Sequence, residues 1–312
     1  MSSPDLETLR VYLQAHFDPR ADHVVSLGAG MFARAFAFTV DERAYVARIN
    51  AWRQDFLKDE YARAHFASPA LPIPRVVHLT PFDATRDVCV TERCAGRTLR
   101  DNLNADDLPI APQLFATLDA IHRVDISATR GWGLADTNGI GRFDSWHAAL
   151  LALYNHKFDY PWDSFARHSF FEQKLVDEFF QAMRRFLPHC PNDRFLIHRD
   201  FGSANVIADG AQITGVLDWA EFGYGDFLYD LACLDYFSQD IPYGALWQER
   251  SAALGRAVPN FQERMQCYML NIGLHDIAIA ATLGDERAYI RGCERTKSVL
   301  LPARRAPTDW TQ

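Results

Sequence analysis

No two of the six cysteines in this 312-residue chain, at positions 89, 94, 190, 233, 267 and 293, stand at CxxC spacing, and none forms a metal-binding motif with nearby histidines. That speaks against both a zinc module and a disulfide framework, and a reducing cytosol fits best. Also missing is any run of the roughly 18 apolar residues that a membrane span needs. The first ten residues have neither the basic start nor the apolar centre of an export signal, so the chain reads as cytoplasmic with no membrane partner. Positive charge is the minority sign: 32 Lys and Arg face 40 Asp and Glu, a net charge of −8. This balance opposes nonspecific nucleic-acid binding and favours cationic small molecules where the acidity is focused in a cleft. Repeats and low-complexity tracts are absent. With 48% apolar residues the chain can bury a substantial core, as one large domain or two ordinary ones.

What is present begins with Leu6, Leu9, Leu13 and Phe17 at helical spacing, an opening amphipathic helix that stops near Asp18-Pro19. Three short apolar runs follow, at 24–28, 35–40 and 44–50. They are broken by Gly28-Ala29-Gly30 and by the polar turn Asp41-Glu42-Arg43, which reads as a three-strand meander. Residues 55–68 have helical composition, ended by the prolines at 69, 72 and 74. Val88 to Glu92 reads as a buried strand, and the glycine-marked step after it places a boundary near residue 93. Beyond it the chain is mostly helical, with stripes at Leu114, Leu118 and Ile121, at Trp146, Leu150 and Leu153, and at Leu175, Phe179 and Met183.

The chemistry concentrates in His198-Arg199-Asp200-Phe201-Gly202-Ser203-Ala204-Asn205 and in Gly215-Val216-Leu217-Asp218-Trp219. Phosphoryl transfer from ATP needs a carboxylate for the proton of the acceptor hydroxyl, plus an amide oxygen and a second carboxylate that hold magnesium against the triphosphate. Asp200, Asn205 and Asp218 fit those positions in that order, and hard oxygen donors suit Mg²⁺. Protein kinases carry a related set with AspPheGly at the second carboxylate. Here the Asp is followed by Trp219-Ala220 instead of PheGly, and no AlaProGlu segment comes after it, which points away from a protein kinase.

At these residues the chain resembles the aminoglycoside phosphotransferase family, whose pattern is His-x-Asp, an Asn five residues on, and a hydrophobic-Asp-aromatic step. The resemblance to the hygromycin B branch extends to Leu71-Pro72-Ile73-Pro74-Arg75-Val76, Gly131-Trp132-Gly133, Gly139-Ile140-Gly141, Trp146 and the segment 218–226, and covers roughly residues 20–280. It implies an α+β, protein-kinase-like two-lobe fold, with a small β-rich N-terminal lobe over residues 1–93 and a larger, mainly helical lobe over 94–312. It further implies ATP or GTP as donor, a cationic aminocyclitol or aminosugar antibiotic as acceptor, and inactivation of that antibiotic by phosphorylation. The same chemistry on a macrolide, an amino alcohol or a sugar is the alternative, and a nucleotide-binding scaffold without catalysis is another.

Other residues fall into place around that reading. His198 supports the loop, while Arg199 has no assigned part. Gly28 and Gly30 lie between predicted strands rather than before a helix, so they suit a loop over ATP phosphates and not a dinucleotide fold. Arg48 stands where kinases carry a phosphate-gripping lysine; a guanidinium can neutralise the same charge with different geometry. Its helical partner is Asp59 or Glu60, and phase favours Asp59, in the stripe of Phe56 and Phe66. Backbone groups near Glu92 and Cys94 form the expected purine-binding hinge. Glu221, His275 and Asp276 are candidates for the acceptor pocket. Asp226 and Asp230 resemble the family's loop-bracing acids, and His122 reads as a satisfied core histidine.

Overall fold

A computed structural model of the chain describes residues 6–29, 33–99, 110–153, 160–238 and 241–301. These group into two compact units, one of residues 1–99 with 205–220, the other of 100–204 with 221–312.

The first unit opens with helix α1 (Leu6–His16), which ends two residues before Asp18 and buries Leu9 and Leu13 completely. Strands β1 (Ala21–Ala29), β2 (Arg34–Val40) and β3 (Arg43–Asn50) follow, with Asp41 turning the chain at φ 52°. After helix α2 (Arg53–Phe66) come β4 (Val76–Pro81), β5 (Asp87–Glu92) and the short β6 (Arg97–Thr98). Strands β1 to β5 form one antiparallel sheet in the order β1-β2-β3-β5-β4. β4 is not among the strands read from sequence: Val76 to Thr80 are all half-buried, so no in-and-out alternation marks it.

Alternation along β3 positions the first candidate site residue. Ala47 and Ile49 enter the cluster formed by Leu9, Leu13, Phe36, Phe38, Val88 and Val90. Arg48, one residue out of phase, therefore takes the opposite face, where its guanidinium lies over the Phe56 ring of α2, 5.3 Å from the centroid.

The second unit contains α3 (Ala111–His122), β7 (Trp132–Ala135), β8 (Gly141–Phe143), α4 (Trp146–Ala152), α5 (Trp162–Phe165), α6 (Gln173–Phe186) and β9 (Phe195–Ile197). The chain then supplies the hairpin β10 (Val206–Asp209) and β11 (Gln212–Val216), which pairs with β6 and so belongs to the first unit. It returns for β12 (Gly223–Gly225) and for helices α7 (Leu228–Phe237), α8 (Tyr243–Ala253), α9 (Phe261–Leu283) and α10 (Glu286–Val299). The mostly helical expectation omitted the sheet β8-β7-β12-β9, whose strands are only three or four residues long. The helical stripes are present: Leu114, Leu118, Ile121, Trp146, Leu150, Phe179 and Met183 are all buried.

Two of the glycine motifs have a steric cause. A Cβ on Gly131, at φ 78°, would come within 2.1 Å of the Gly141 carbonyl oxygen, so the two glycine-bearing segments cross at backbone contact. A Cβ on Gly225 would stand 2.5 Å from the Trp146 ring. That indole donates to the Tyr268 hydroxyl at 3.3 Å, and Tyr268 in turn donates to Asp226. Arg264 closes the network with two bonds to the Asp226 carboxylate, 2.8 and 2.6 Å long, around a side chain with no exposure at all. Burial works against the Arg264 cation, but the Asp226 carboxylate outweighs it and raises the Arg264 pKa. Removing one partner of such a pair strands the other charge out of water. Arg264→Met, which keeps most of the volume, should cost about 3–5 kcal/mol, read as a lower urea midpoint at an unchanged slope.

Candidate active site

Asp200 lies just past β9, on a loop whose backbone is held by a carboxylate from α7. The N–H groups of His198 and Arg199 donate to the two oxygens of Asp230, at 2.9 and 2.8 Å. Asp230 is fully buried, and so is His198, whose Nδ1 accepts the Asp200 N–H at 3.3 Å. That bond places the ring proton of neutral His198 on Nε2. One helical turn after Asp230, the Cys233 thiol donates to the Arg199 carbonyl at 3.1 Å, and burial pushes that thiol well above its ordinary range. Helix α7 therefore grips the loop at two consecutive residues, and His198 ties the third to them. Arg199 needs the grip: its φ of 68° lies in the left-handed region, which a side chain of this size enters at a cost.

Asn205 and Asp218 flank the hairpin β10-β11, and this explains their separation. Val206 pairs with Val216, and the Leu217 N–H donates to the Asn205 carbonyl at 2.8 Å, so the chain leaves and returns at one place. Asp218 is exposed and, like Arg199, left-handed, with φ 60°. Its neighbour is tied down. The Trp219 N–H donates to Asp59 Oδ1 at 2.9 Å, and the Trp219 ring is fully buried beside Phe66.

Asp59 joins this segment to β3. Its second oxygen receives the Arg48 guanidinium, so the ion pair forms with Asp59, while Glu60 points to solvent. Burial pushes the Asp59 carboxyl up, with Asp218 adding to the effect and Arg48 opposing it. Burial disfavours the Arg48 cation too, but Asp59, and more weakly Cys89 and Asp218, outweigh it, so Arg48 stays charged. Beside Asp59 on the helix, the buried Lys58 ammonium donates to the Ala220 carbonyl. Sequence reading passed over Lys58; the signal available was a lysine in the apolar phase of α2.

The remaining candidates are placed as follows. Gly28 stands on β1 at φ 117°, a conformation that strains any L side chain, with open space where a Cβ would go. Gly30 lies outside the described residues. Glu92 ends β5, exposed and paired with Arg75 at 2.7 Å, and its N–H is taken by the Arg75 carbonyl. Cys94 is half-buried, and burial raises its pKa. In the second unit Glu221 is 54% exposed and lies 3.9 Å from Arg199. His275 Nδ1 meets the Tyr160 hydroxyl at 3.3 Å, and Asp276 meets Arg295 at 3.5 Å, its carboxyl pushed up by burial. His122, expected to be satisfied, is half-buried, and its buried Nε2 makes no hydrogen bond, 3.5 Å from Asp230. No group of three or more His, Cys, Asp or Glu side chains among the described residues could hold a metal by itself.

The pattern of the phosphotransferase enzyme family matches residues 23–262. The chain belongs to that family. It is 33% identical over 299 residues to the hygromycin-B 4-O-kinase of Escherichia coli, covering 94% of this chain and 85% of that protein. Its fold superposes with a TM-score of 0.82 and 29% identity on a thermostable mutant of aminoglycoside phosphotransferase APH(4)-Ia, crystallised with AMP-PNP and hygromycin B; the match covers 94% of this chain and 97% of that one. An aminoglycoside 2'-phosphotransferase-IIIa in complex with GDP shares the fold at a TM-score of 0.67 and 14% identity, covering 95% of this chain and 98% of that one. The α+β, kinase-like fold implied by the sequence motifs is thus the fold of the family.

The grip of Asp230 can be tested directly. Asp230→Asn turns one acceptor oxygen into a donor facing an N–H, so at least one charge-assisted bond worth about 1.5–3 kcal/mol is lost. Amide exchange at His198 and Arg199 should then accelerate by about 10- to 100-fold, measured by hydrogen–deuterium exchange with residue resolution; unchanged exchange would contradict the grip.

Proposed function

We propose that this protein is an ATP-dependent O-phosphotransferase that moves the γ-phosphoryl group to a hydroxyl of an aminocyclitol antibiotic of the hygromycin B class, thereby inactivating it. One observation carries the reading: the likeness to hygromycin-B 4-O-kinase runs through 94% of this chain, including the segments that bear Asp200, Asn205 and Asp218. The 4-hydroxyl named in that relative is the first position to examine on the product.

Asp200 orients the acceptor hydroxyl and takes its proton as the oxygen–phosphorus bond forms and the bridge to the β-phosphate breaks, releasing ADP. Such transition states are loose, so positioning dominates. This is where the grip of Asp230 and Cys233 on the loop acts. His198 is a positioning residue, holding the Asp200 N–H. Arg48, kept charged by Asp59, is suited to the α- and β-phosphates, and the open backbone at Gly28 to a loop over them. Backbone groups near Glu92 and Cys94, other than the Glu92 N–H that Arg75 holds, are suited to the purine edge.

The donor chemistry at the hairpin mouth fits magnesium. Asn205 and Asp218 supply one amide and one carboxylate, hard oxygens few enough to leave the rest of an octahedral shell to phosphate and water. Bound there, Mg²⁺ would neutralise charge building on the β- and γ-phosphates. The left-handed conformation of Asp218, next to the tethered Trp219, aims its carboxylate at the cost of local strain. An ammonium-rich acceptor calls for carboxylates that replace its water. Glu221, with most of its side chain exposed, is suited to that, and His275 and Asp276 are the further candidates on α9.

Coupled ADP release over a panel of hygromycin B, other aminoglycosides, macrolides and amino alcohols tests the reading. Saturable turnover is expected with hygromycin B. Asp200→Asn should lower kcat by about 10²–10⁴-fold, the range for loss of a positioned general base, with nucleotide affinity nearly unchanged; turnover like the wild type would remove Asp200 from the mechanism. Asp218→Ala should abolish the magnesium dependence of nucleotide affinity, and an unaltered dependence would exclude it as a ligand.

A further inference from the structure

A cavity of about 230 Å³ opens in the second unit, walled by α3, α8, β9 and the start of α7. Its composition runs against the rest of the chain. The protein carries a net charge of −8, yet the cavity is lined by Arg123, Arg250 and Arg256 against a single carboxylate, Asp119. Asp119 cannot neutralise them. The same oxygen serves Arg123 at 3.5 Å and Arg250 at 3.3 Å, both long contacts, and the exposed Arg256 makes no ion pair among the described residues. Two guanidinium charges therefore remain in excess beside the opening.

The cavity also has an aromatic side. Phe195, Phe227 and Trp247 line it, with Phe227 packed on Phe195 and on Trp247 at 5.5 and 5.9 Å between centroids. A concave site with an apolar wall and convergent cations suits an anion borne on a ring. His122 lines the same cavity, in ring contact with Phe195 and Phe227. A buried polar atom without a hydrogen bond calls for an explanation, and His122 Nε2 is one such atom. It lies 3.5 Å from Asp230 Oδ2, the oxygen that holds the His198 N–H.

We propose that this cavity binds a small aromatic anion, a carboxylate or phosphate monoester, and that its occupancy acts on the 198–200 loop through His122 and Asp230. The anion takes the uncompensated guanidinium charge while its ring packs on Phe227 and Trp247. Packing against His122 shifts the imidazole relative to Asp230, and Asp230 transmits the shift to the two backbone N–H groups it holds. A ligand there would tune the rate of the loop bearing Asp200 without touching the reacting groups.

Phenyl phosphate is the probe, titrated calorimetrically into the full-length protein with and without saturating AMP-PNP. Saturable binding at one site is expected in both cases. It should weaken at least tenfold in Arg256→Glu, whose side chain is exposed and outside the phosphoryl-transfer machinery, and benzyl alcohol should not bind. Displacement by AMP-PNP, equal affinity in Arg256→Glu, or no saturation at millimolar concentrations would overturn the site. The Arg256 comparison needs no nucleotide, so it stands apart from the phosphotransferase reading. Hydrogen exchange of the 196–202 segment should slow on adding phenyl phosphate to the wild type and not to Arg256→Glu; binding without any change in exchange would overturn the link to the loop.

Discussion

Buried carboxylates that accept backbone N–H groups hold the functional segments of this protein in shape. A carboxylate out of water is costly unless donors meet its oxygens, and the donors here are the main chain of the segments that must not move. Asp230 meets the N–H groups of His198 and Arg199, and Asp59 meets that of Trp219. In each case the carboxylate sits on a packed helix, α7 or α2, and a candidate site residue, Asp200 or Asp218, lies next to one that is held. Half-buried Asp200 and exposed Asp218 thus each stand beside an immobilised neighbour.

Strain and grip occur at the same residues. Arg199 and Asp218 are two of five non-glycine residues at positive φ among the described residues, and each is followed or preceded by a bond to a buried acid. A left-handed residue of either type relaxes unless the surrounding structure over-determines it. Asp59 has a second duty, since the oxygen not used by Trp219 binds Arg48. One side chain therefore fixes the cation of β3 and the segment of Asp218 together, which makes arginine in place of lysine at 48 compatible with an intact site: its planar fork meets the carboxylate while the helix holds that carboxylate in place.

Much of the candidate site was legible because chemistry restricts spacing. The five-residue step from Asp200 to Asn205 and the thirteen-residue step to Asp218 are set by a loop and a hairpin, both local in sequence, and local geometry leaves a trace in spacing. Asp59 was legible over Glu60 for a similar reason, as helical phase puts it in the stripe of Phe56 and Phe66. The short strands of the second unit were not, because three or four residues are too few to show a period. The same holds for β4, whose evenly half-buried residues carry no alternation.

The order of the amino acids by itself determined the reaction chemistry, the family and the helices with strong stripes, and it favoured Asp59 over Glu60 as the partner of Arg48, since each depends on residues close along the chain. Only the tertiary structure decided what lies opposite what at long range. Asp226 finds Arg264 at 38 residues' distance, and α3 brings His122 to Asp230 across 108 positions. It also decided that the hairpin of Asn205 and Asp218 joins β6 and the first unit, although the chain on either side of it belongs to the second. Burial energy depends on which faces close on one another, and no local pattern of residues encodes that choice.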